Sequence, residues 1–344
     1  MHRSSALLIT RSLGPAHGGM QRYIRSLIDA FRAEEDITLT VVGYGGGTFG
    51  LLFFFPWAIV RSLVFRGDRV HVGDALLSPI LPILRLLRPG LRRSITVYGL
   101  DLTFPPAFYQ WLIRSSLLFA ECIVAISHAT AVEAEKRGAS HSALTVIPCG
   151  VVPLNVLRSS HSSSGHPRLL ILGRQIPRKG TRWFVSEVFP RLLRAFPDIH
   201  LTIAGNGSEL PLIRRCVDAL HFRTHITLTG FVPENERMRL LLSSTLFVMP
   251  NVPVSGDMEG FGLVCIEAAS VGLPVVAAEL EGIADAVIPG ETGIFFRPGD
   301  PKSAYEALAV ALRRPWDPAR VQTVCLEHFR MQQISSRILH DVFR

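Results

Sequence analysis

The chain has 344 residues, 48% of them hydrophobic and 19% charged, a composition typical of a globular protein with two domains. Its five cysteines form no C-x-x-C pair, which argues against a zinc site or a disulfide framework and favours a reducing compartment. Residues 1–165 carry 16 basic and 10 acidic side chains, net +6, against 20 and 18, net +2, in the remainder. The basic first half suits an anionic partner, but no basic run interleaved with aromatic residues indicates nucleic acid.

Apolar strand patterns alternate with helical patterns along the whole chain. The first apolar run, Ala6–Thr10, is too short for a signal peptide and is predicted to be a strand. Strand–helix alternation predicts an α/β fold of parallel sheets with helices on both faces. The predicted strands are Leu7–Ile9, Leu39–Val42, Arg69–Val72, Ser94–Val97, Cys122–Ile126, Leu144–Ile147, Leu169–Leu172, His200–Ile203, Ile226–Leu228, Leu246–Met249, Pro274–Ala277 and Gly293–Phe296.

An uncharged stretch of twelve residues, Phe49–Val60, follows the second predicted strand. It is too short to cross about 30 Å of hydrocarbon as a helix, so no transmembrane segment is expected. Two alternatives remain open: a buried helix between two strands, or a partly exposed surface that touches lipid. The basic side chains Arg61, Arg66 and Arg69 nearby support the second alternative.

The domain boundary is indicated by a serine-rich polar segment, Arg158–Pro167, which has no apolar period. We expect a first Rossmann-like domain at 1–155, a linker at 156–167 and a second Rossmann-like domain at 168–325. The apolar pattern of 326–344 predicts a helix that packs back on the first domain. Two such domains place a cleft at the carboxyl ends of their strands.

Glu259 and Glu267, separated by seven residues, enclose a Gly-Phe-Gly turn between an apolar strand and a helix. A strand, a glycine-rich loop and a helix offer backbone N–H groups and a positive helix end to an anion. The carboxylates cannot bind that anion, but they suit the hydroxyls of a sugar attached to it. The pattern predicts a ligand that combines phosphate with a sugar.

Arg174 directly follows the strand that ends at Gly173, and Lys179 follows five residues later. Two cations at a strand end suit a diphosphate, Arg by its planar fork and Lys as a point charge; the alternative is a solvated basic cluster. Gly18 and Gly19, after the first strand, suit a phosphate through their backbone N–H groups. The G-x-G-x-x-G fingerprint is absent, which disfavours NAD and FAD.

Further turns end the neighbouring strands. Gly205 and Asn206 allow a ligand to approach the backbone closely, or serve only a turn with positive φ. The backbone at Val232 is placed to contact a base edge. Asp101 is a candidate catalytic base or a helix cap, and Tyr98 a hydrogen-bond donor or a packing residue.

Neither a metal nor a cofactor is expected. The chain has no D-x-D sequence, and His71 with Asp74 lacks a third ligand. Charge on a departing phosphate would therefore be met by Arg174, Lys179 and helix N-termini.

Together these residues resemble the family 4 type of retaining glycosyltransferases with the GT-B fold, two doubly wound Rossmann-like domains that face a central cleft. The resemblance covers most of the chain, and the Glu259–Glu267 block with Arg174 and Lys179 is its specific part. The motifs that carry it are Gly18-Gly19, Ile126-Ser127-His128-Ala129-Thr130, Val146-Ile147-Pro148-Cys149-Gly150-Val151, Gly173-Arg174 with Lys179-Gly180, Ala204-Gly205-Asn206-Gly207, Glu259 to Glu267, and Glu281-Gly282-Ile283 with Gly290-Glu291-Thr292-Gly293.

The resemblance implies transfer of a hexose from a nucleotide-diphosphate sugar with retained configuration, by front-face attack and without a metal. It implies that Glu267 binds the ribose, that Glu259 lies beside the donor sugar, and that Arg174 and Lys179 hold the diphosphate. The anion site would be completed by the backbone N–H groups of Phe261, Gly262 and Leu263.

One departure concerns the donor sugar. The family usually has His-Gly where this chain has Tyr98-Gly99, and a tyrosine can hydrogen-bond a sugar but cannot become cationic. We expect an active enzyme with altered donor-sugar contacts.

The leading hypothesis is a cytoplasmic hexosyltransferase that acts on a lipid-linked or polysaccharide-precursor acceptor, with peripheral contact at the inner face of the membrane as an open alternative. Two other classes remain: a catalytically silent binding partner that keeps the fold, and a nucleotide-sugar epimerase, which would need further acid and base residues and no acceptor.

Overall fold

A computed structural model describes residues 4–13, 19–34, 37–46, 50–154, 156–157 and 166–343. The chain divides into two compact units, one formed by Met1–Val152 with Phe329–Arg344 and the other by Pro153–His328. Most of the predicted linker, 158–165, lies outside the described residues. No helix of the described residues is long and apolar enough to cross a membrane.

The first unit contains, within the described residues, a parallel sheet of six strands in the order β2-β1-β3-β4-β5-β6. All six strands predicted for the first half are present, each extended or shortened by at most a few residues. The strands are β1 Ser4–Thr10, β2 Ile37–Gly43, β3 Arg69–Val72, β4 Arg92–Val97, β5 Cys122–Ala125 and β6 Leu144–Val146.

Helices connect these strands and bury apolar side chains against them. The helix α1 exposes its polar side and buries Ile24, Leu27 and Phe31, spaced three and four residues apart as one face of a helix requires. The helices of this unit are α1 Gly19–Arg32, α2 Leu51–Val64, α3 Ile80–Leu87, α4 Leu100–Thr103, α5 Ala107–Leu117 and α6 His128–Glu135, with 3₁₀ turns at Ala75–Leu77 and His141–Ala143.

The second unit repeats the plan with six described parallel strands in the order β12-β11-β10-β7-β8-β9. Its central strands β7, β10 and β11 are almost wholly buried, as a parallel sheet covered on both faces requires, whereas the edge strand β9 is partly exposed. The six strands predicted here are also present. They are β7 Arg168–Leu172, β8 His200–Ala204, β9 Ile226–Gly230, β10 Leu246–Met249, β11 Val275–Ala278 and β12 Gly293–Phe296.

The helices of the second unit cover both faces of this sheet. They are α7 Thr181–Trp183, α8 Phe189–Ala195, α9 Leu210–Ala219, α10 Glu234–Ser243, α11 Leu263–Ala269, α12 Pro301–Arg313 and α13 Pro318–Phe329; a π-helical turn, Phe184–Val188, joins α7 to α8, and 3₁₀ turns lie at Pro177–Lys179 and Glu281–Asp285.

The end of the chain returns to the first unit. After α13, the helix α14 Met331–Phe343 packs along α1. The ring of Phe343 meets Phe31 edge-on at 5.9 Å and His71 at 5.6 Å. An aromatic edge-to-face pair adds about 0.5–1.5 kcal/mol beyond the area that it buries, so the contact helps to hold the terminal helix in place.

Each sheet reverses its strand order once. In the first sheet β1 lies between β2 and β3, and in the second sheet β7 lies between β8 and β10. Loops that leave the carboxyl ends of such central strands run in opposite directions and open a crevice, which is where ligands of doubly wound sheets bind. The loops after β1 and β3 and those after β7 and β10 are therefore the places to look for function.

Candidate functional site

The loops after β7 and β10 form a small recess in the second unit. Its lining includes Gly173, Arg174, Lys179, Asn251 and Val264. The predicted cations Arg174 and Lys179 and the loop after β10, which contains Asn251, thus share one edge of the sheet. This recess is the core of the candidate site.

Glycine is required where these loops meet. Gly180 ends the 3₁₀ turn Pro177–Lys179 in the left-handed region, with φ of 62°. A Cβ added there would overlap the carbonyl oxygen of Pro250, the residue that follows β10. A side chain at position 180 would therefore push the two loops apart and move Lys179 with them.

Glu259 is the centre of a dense ionic cluster. Its Oε2 accepts hydrogen bonds from Lys179 Nζ at 2.6 Å, from Asn251 Nδ2 at 3.2 Å and from Arg178 Nε at 3.3 Å. Arg178 also donates to Asp257 Oδ1 at 2.5 Å. The backbone N–H of Glu259 donates to Glu281 Oε2 at 2.5 Å.

The charge state of Glu259 follows from these partners. Burial alone would raise the pKa of its carboxyl, but the charges of Lys179 and Arg178 and the hydrogen bonds from Lys179 and Asn251 lower it to about 2. Glu259 is therefore ionised at any physiological pH. It can accept hydrogen bonds from hydroxyl groups, but it has no proton to donate as a general acid.

The sequence motifs indicate Glu259 and Lys179 but not Arg178 and Asn251, the residues that hold them in place. Arg178 is only 7% exposed and Asn251 only 1%. A signal was present, because Arg178 adjoins Lys179 and Asp257 lies two residues before Glu259. Two cations and two acids in such short segments favour an ion-pair network, although the sequence does not say which cation meets which acid.

Arg174 has a different environment from Lys179. It is exposed directly after β7, and it forms no ion pair with another described residue. Lys179, in contrast, is 14% exposed and held by Glu259. The structure thus places one mostly buried, ion-paired cation and one exposed cation on the same edge of the sheet.

Glu267, the predicted ribose ligand, lies on α11 and forms a separate ion pair. Its Oε2 accepts from Arg237 Nη1 at 3.0 Å, and Arg237 also pairs with Glu234. Both Glu267 and Arg237 are mostly buried, at 17% and 12% exposure of their side chains. Arg237 on α10 is a further neighbour of the site that the sequence analysis missed.

The turn at Gly205 and Asn206 packs against the loop after β7. Gly205 has φ of 123°, and a Cβ there would overlap the carbonyl oxygen of Gly173. The carbonyl of Asn206 accepts the N–H of Gln175 at 2.9 Å. Gly205 therefore has a positive φ, and the segment that approaches its backbone closely is the loop at Gly173. Val232 follows β9 at the same edge, half-buried beside the exposed ring of Phe231.

The predicted anion loop leads into α11. Phe261 is buried, and Gly262 precedes the helix with φ of 76°. Leu263 is the first residue of α11, and the carbonyl of Gly262 accepts the N–H of Cys265 at 2.8 Å. The three predicted residues therefore lie at the amino end of a helix, which carries partial positive charge.

In the first unit, Asp101 ties two loops together. Its Oδ1 accepts the backbone N–H of Tyr98 at 2.8 Å, and its Oδ2 accepts that of Ala75 at 2.9 Å. Burial raises the pKa of Asp101 to about 6, and the nearby Asp74 adds to the rise. The bond from Ala75, the first residue of the 3₁₀ turn Ala75–Leu77, favours the helix-cap alternative, and the bond from Tyr98 fixes the backbone of that residue. Burial also raises the pKa of Tyr98 well above its usual value, so its hydroxyl keeps its proton.

The other first-unit residues are not arranged as a metal site. His71 is buried between Ser94 Oγ at 2.9 Å and Thr96 Oγ1 at 2.8 Å, and burial lowers its pKa to about 3. Asp74 Oδ1 instead accepts from Arg11 Nε at 3.0 Å. Among the described residues, no group of three or more His, Cys, Asp and Glu side chains could hold a metal ion.

The first glycine loop is only partly described. Gly19 is the first residue of α1. Gly18 lies outside the described residues. The predicted phosphate contact of this loop stays a prediction.

Sequence comparison relates the chain to enzymes that transfer sugars. The family described as "Glycosyl transferases group 1" matches residues 166–314. The chain is 32% identical over 322 residues to a GDP-mannose-dependent alpha-(1-6)-phosphatidylinositol monomannoside mannosyltransferase of Mycolicibacterium smegmatis, covering 83% of this chain and 84% of the relative. It is 30% identical over 275 residues to a glycogen synthase of Mycobacterium tuberculosis, covering 75% of this chain and 62% of that relative.

Solved structures show the same fold at lower identity. A sucrose-phosphate synthase from Thermosynechococcus elongatus superposes with a TM-score of 0.78 at 19% identity, over 98% of both chains. HepE of Anabaena, solved with UDP and glucose, gives 0.75 at 16% identity, over 98% of this chain and 99% of that one. The predicted GT-B fold class is confirmed.

Proposed function

The chain belongs to the group 1 family of glycosyl transferases, and from this premise we propose that it moves a hexose from a nucleotide-diphosphate sugar to a lipid-linked acceptor with retention of configuration. The observation that carries the proposal is the cluster at the carboxyl edge of the second sheet. There an ionised Glu259 holds Lys179 in place, 2.6 Å away, beside the exposed Arg174.

The charges of this cluster match those of a sugar diphosphate, with cations for the diphosphate and carboxylates for the hydroxyl groups. Arg174 and Lys179 supply two cations for the diphosphate, at the amino end of α11. Glu259 accepts all three of its side-chain hydrogen bonds on Oε2, which leaves Oε1 for the hydroxyls of the hexose. Glu267 on α11 supplies a second carboxylate for the hydroxyls of the ribose.

The proposed reaction needs no protein nucleophile. The acceptor hydroxyl oxygen bonds to the anomeric carbon on the face from which the diphosphate oxygen departs, and the hydroxyl proton passes to that departing oxygen. Lys179 and Arg174 stabilise the negative charge that develops on the diphosphate. Glu259, with its pKa lowered to about 2, stays an ionised hydrogen-bond acceptor throughout.

The lipid-linked acceptor is supported by an apolar surface on the first unit. The helices α2, α3 and α5 pack side by side and leave large side chains exposed, including Phe53 at 81%, Leu86 at 80% and Phe108 at 72%. Their exposed charges are arginines, and their sequences contain no acidic residue. We define the apolar surface by its exposed residues Leu52, Phe53, Trp57, Val60, Val64, Leu86, Leu87, Phe108 and Trp111.

The exposed side of α2 supports the second alternative for the uncharged stretch, a partly exposed surface that touches lipid. In α2, Phe54, Ala58 and Ser62 are buried, whereas Phe53 and Trp57 are exposed. The helix is therefore buried on one side only. Exposed aromatic residues with flanking arginines are the composition of helices that lie in the interface of anionic membranes.

The donor half of the proposal is tested by a panel of UDP-, GDP- and ADP-sugars in a thermal-shift assay, with GDP-mannose first because the mycobacterial relative is named for it. A donor at about 100 times its Kd should stabilise the protein by about 2.7 kcal/mol. Release of the nucleoside diphosphate is then measured with and without a lipid acceptor.

The outcomes of that assay separate the three classes of function. Acceptor-dependent release supports the hexosyltransferase. Binding without release in any acceptor mixture identifies a silent binding partner, and an isomerised nucleotide sugar without acceptor identifies an epimerase. A folded protein whose melting temperature no nucleotide sugar shifts would contradict donor binding altogether.

The acceptor half is tested by sedimentation with vesicles of anionic phospholipid. Replacing Phe53 and Trp57 by serine should abolish sedimentation and transfer to lipid, while leaving transfer to a water-soluble acceptor. The matched control is Val132→Ser, because Val132 is 48% exposed in the same unit but lies on α6, outside the apolar surface. Equal sedimentation of all three proteins would refute the membrane contact.

A further inference from the structure

The second unit contains a cavity away from the candidate site. Its volume is about 510 Å³, within the range of small-molecule pockets. It lies at the amino ends of β7, β8 and β9, whereas the candidate site lies at the carboxyl ends. Its lining is rich in basic and hydroxyl side chains: His166, Arg168, His200, Thr202, Thr224, His225, Arg239, Ser243 and Ser244.

Three of these basic residues form a row across adjacent strands. Arg168 on β7 pairs in register with His200 on β8, and Leu201 pairs with Ile226 on β9. His225, the residue before Ile226, is therefore aligned with His200, and its carbonyl accepts the N–H of Leu201 at 2.8 Å. Residues in register on neighbouring strands point to the same face, about 4.8 Å apart.

Such a row is unfavourable unless something offsets its charge. Like charges directly opposite each other destabilise a sheet. Burial lowers the pKa of His200, and the nearby His225 and Arg168 lower it further. A second positive charge on His200 is therefore disfavoured beside Arg168.

Acidic groups do not neutralise the row within the described residues. Asp198, the acid in the lining, is 73% exposed and lies 3.6 Å from His166 rather than beside the row. Glu236 pairs with Arg239 on α10 at 2.6 Å. None of the described carboxylates forms an ion pair with Arg168, His200 or His225.

We propose that this cavity binds a small anion that carries a phosphate group, either inorganic phosphate or a phosphate monoester. Arg168 supplies a planar fork of donors for the phosphate oxygens. The imidazoles of His200 and His225 and the hydroxyls of Thr202, Thr224 and Ser243 supply further hydrogen-bonding groups. The site is independent of the donor site, because it lies at the opposite edge of the same sheet.

A competing explanation comes from the fold itself. The helix α10 ends at Ser243, and the carbonyl end of a helix favours nearby cations without any ligand. In that case the row would stabilise the helix and no anion would bind. A binding measurement separates the two explanations, because only the anion site predicts that phosphate binds to the chain.

The experiment is isothermal titration of the whole chain with glycerol 3-phosphate and with inorganic phosphate, using glycerol as the uncharged control. The two phosphates distinguish a monoester site from one for the free ion. The test variant is Arg168→Gln, at the start of β7. The matched control is Arg174→Gln, just past the end of the same strand in the proposed donor site.

We expect saturable binding of a phosphate to the wild-type chain and no binding of glycerol. Arg168→Gln should weaken it by about 10- to 100-fold, since a charge-assisted hydrogen bond contributes about 1.5–3 kcal/mol. Arg174→Gln should leave it unchanged, and Arg168→Gln should retain hexosyl transfer. His225→Asn provides a second test variant if Arg168→Gln lowers the melting temperature.

Three results would overturn the proposal. Binding lost in Arg174→Gln but kept in Arg168→Gln would place the anion in the donor site instead. Phosphate binding that is as strong in both variants as in the wild-type chain would exclude both sites. No saturable binding to the wild-type chain would favour the helix-end explanation, in which Arg168→Gln lowers stability alone.

Discussion

Glu259 and Asp101 lie at the carboxyl ends of the two sheets, both are partly buried, and their pKa values move in opposite directions. Burial is the largest influence on each. Glu259 meets two cations, Lys179 and Arg178, which bring its pKa to about 2. Asp101 meets backbone N–H groups and the like charge of Asp74, and its pKa rises to about 6.

The balance of nearby charges, rather than burial, therefore distinguishes the two carboxyl groups: Glu259 has two cations beside it, whereas Asp101 has Asp74 as well as Arg11 nearby. The second edge is charged and preorganised, which suits a diphosphate. The first edge keeps neutral hydrogen-bonding groups at mildly acidic pH, including the protonated hydroxyl of Tyr98. Such groups suit the uncharged hydroxyls of a sugar.

The largest expected effect is on the charged edge. Lys179→Met should lower kcat for hexosyl transfer by about 10²- to 10³-fold, because a cation aimed at developing charge is lost. Steady-state kinetics with a saturating acceptor measures it. Lys302→Met is the control, since Lys302 is 77% exposed on α12 and should change kcat little. A Lys179→Met enzyme with normal kcat would break the assignment of the charged edge.

Arg178→Met tests whether the charged edge needs its buried cation for stability. The substitution removes the ion pair of Asp257 and leaves Glu259 with Lys179 and Asn251, and we expect a loss of about 3 kcal/mol in the free energy of unfolding. Denaturant melts measure the change. The control is Arg182→Met, whose pair with Glu209 involves a side chain that is 55% exposed and should matter by less than about 1 kcal/mol.

At the first sheet edge, the contribution of Asp101 to the free energy of unfolding should fall as the pH rises, the opposite of the contribution of Glu259. The folded chain holds the proton of Asp101 up to about pH 6, above its ordinary value of 3.8. This group therefore stabilises the fold fully below that ordinary value, and the stabilisation, at most about 3 kcal/mol, is lost as the pH rises through about 6. Denaturant melts at several pH values measure it.

The control for this dependence is Asp101→Asn, which has no proton to lose and should flatten the difference in that window. The low pKa of Glu259 acts elsewhere, because its contribution is present above pH 4.5 and is lost as the pH falls towards about 2. Identical pH profiles of the wild type and Asp101→Asn would show that Asp101 is not the titrating group.

A smaller effect is expected at the nucleotide end of the charged edge. Glu267→Gln should raise the KM for the donor by about tenfold with little change in kcat, as expected when about 1.4 kcal/mol of ribose binding is lost. Glu234→Gln is the matched control, because Glu234 pairs with the same Arg237 but is 60% exposed. A kcat loss in place of a KM rise would move Glu267 to the reacting centre.

The smallest effect is expected for Tyr98→Phe at the first edge, which would remove the neutral hydrogen bond to a sugar that the sequence predicts for this residue. We expect a loss of about 1 kcal/mol, or roughly fivefold in kcat/KM. Unchanged turnover would remove Tyr98 from the site. Asp101→Asn should then also leave kcat/KM unchanged, since Asp101 acts on the sugar only by positioning Tyr98.

Much of the fold could be predicted from local sequence patterns. Parallel strands buried on both faces are near-continuous apolar runs, so β7 and β10 were evident. Arg174 and Lys179 could be placed at one edge of the sheet because both lie in the segment that follows β7. The ion pairs could not be predicted, because Glu259 is 80 residues from Lys179 in the chain and Arg237 is 30 from Glu267.

The sequence by itself determined the two α/β units, the GT-B class and the residue types at each strand end, since these depend on short-range periodicity and on motifs within a few residues. Only the tertiary structure decided which carboxylates are paired and which are protonated. Electrostatic free energies depend on distance and burial in space. The Arg168–His200–His225 row is likewise a consequence of strand register, which no segment of the sequence contains alone.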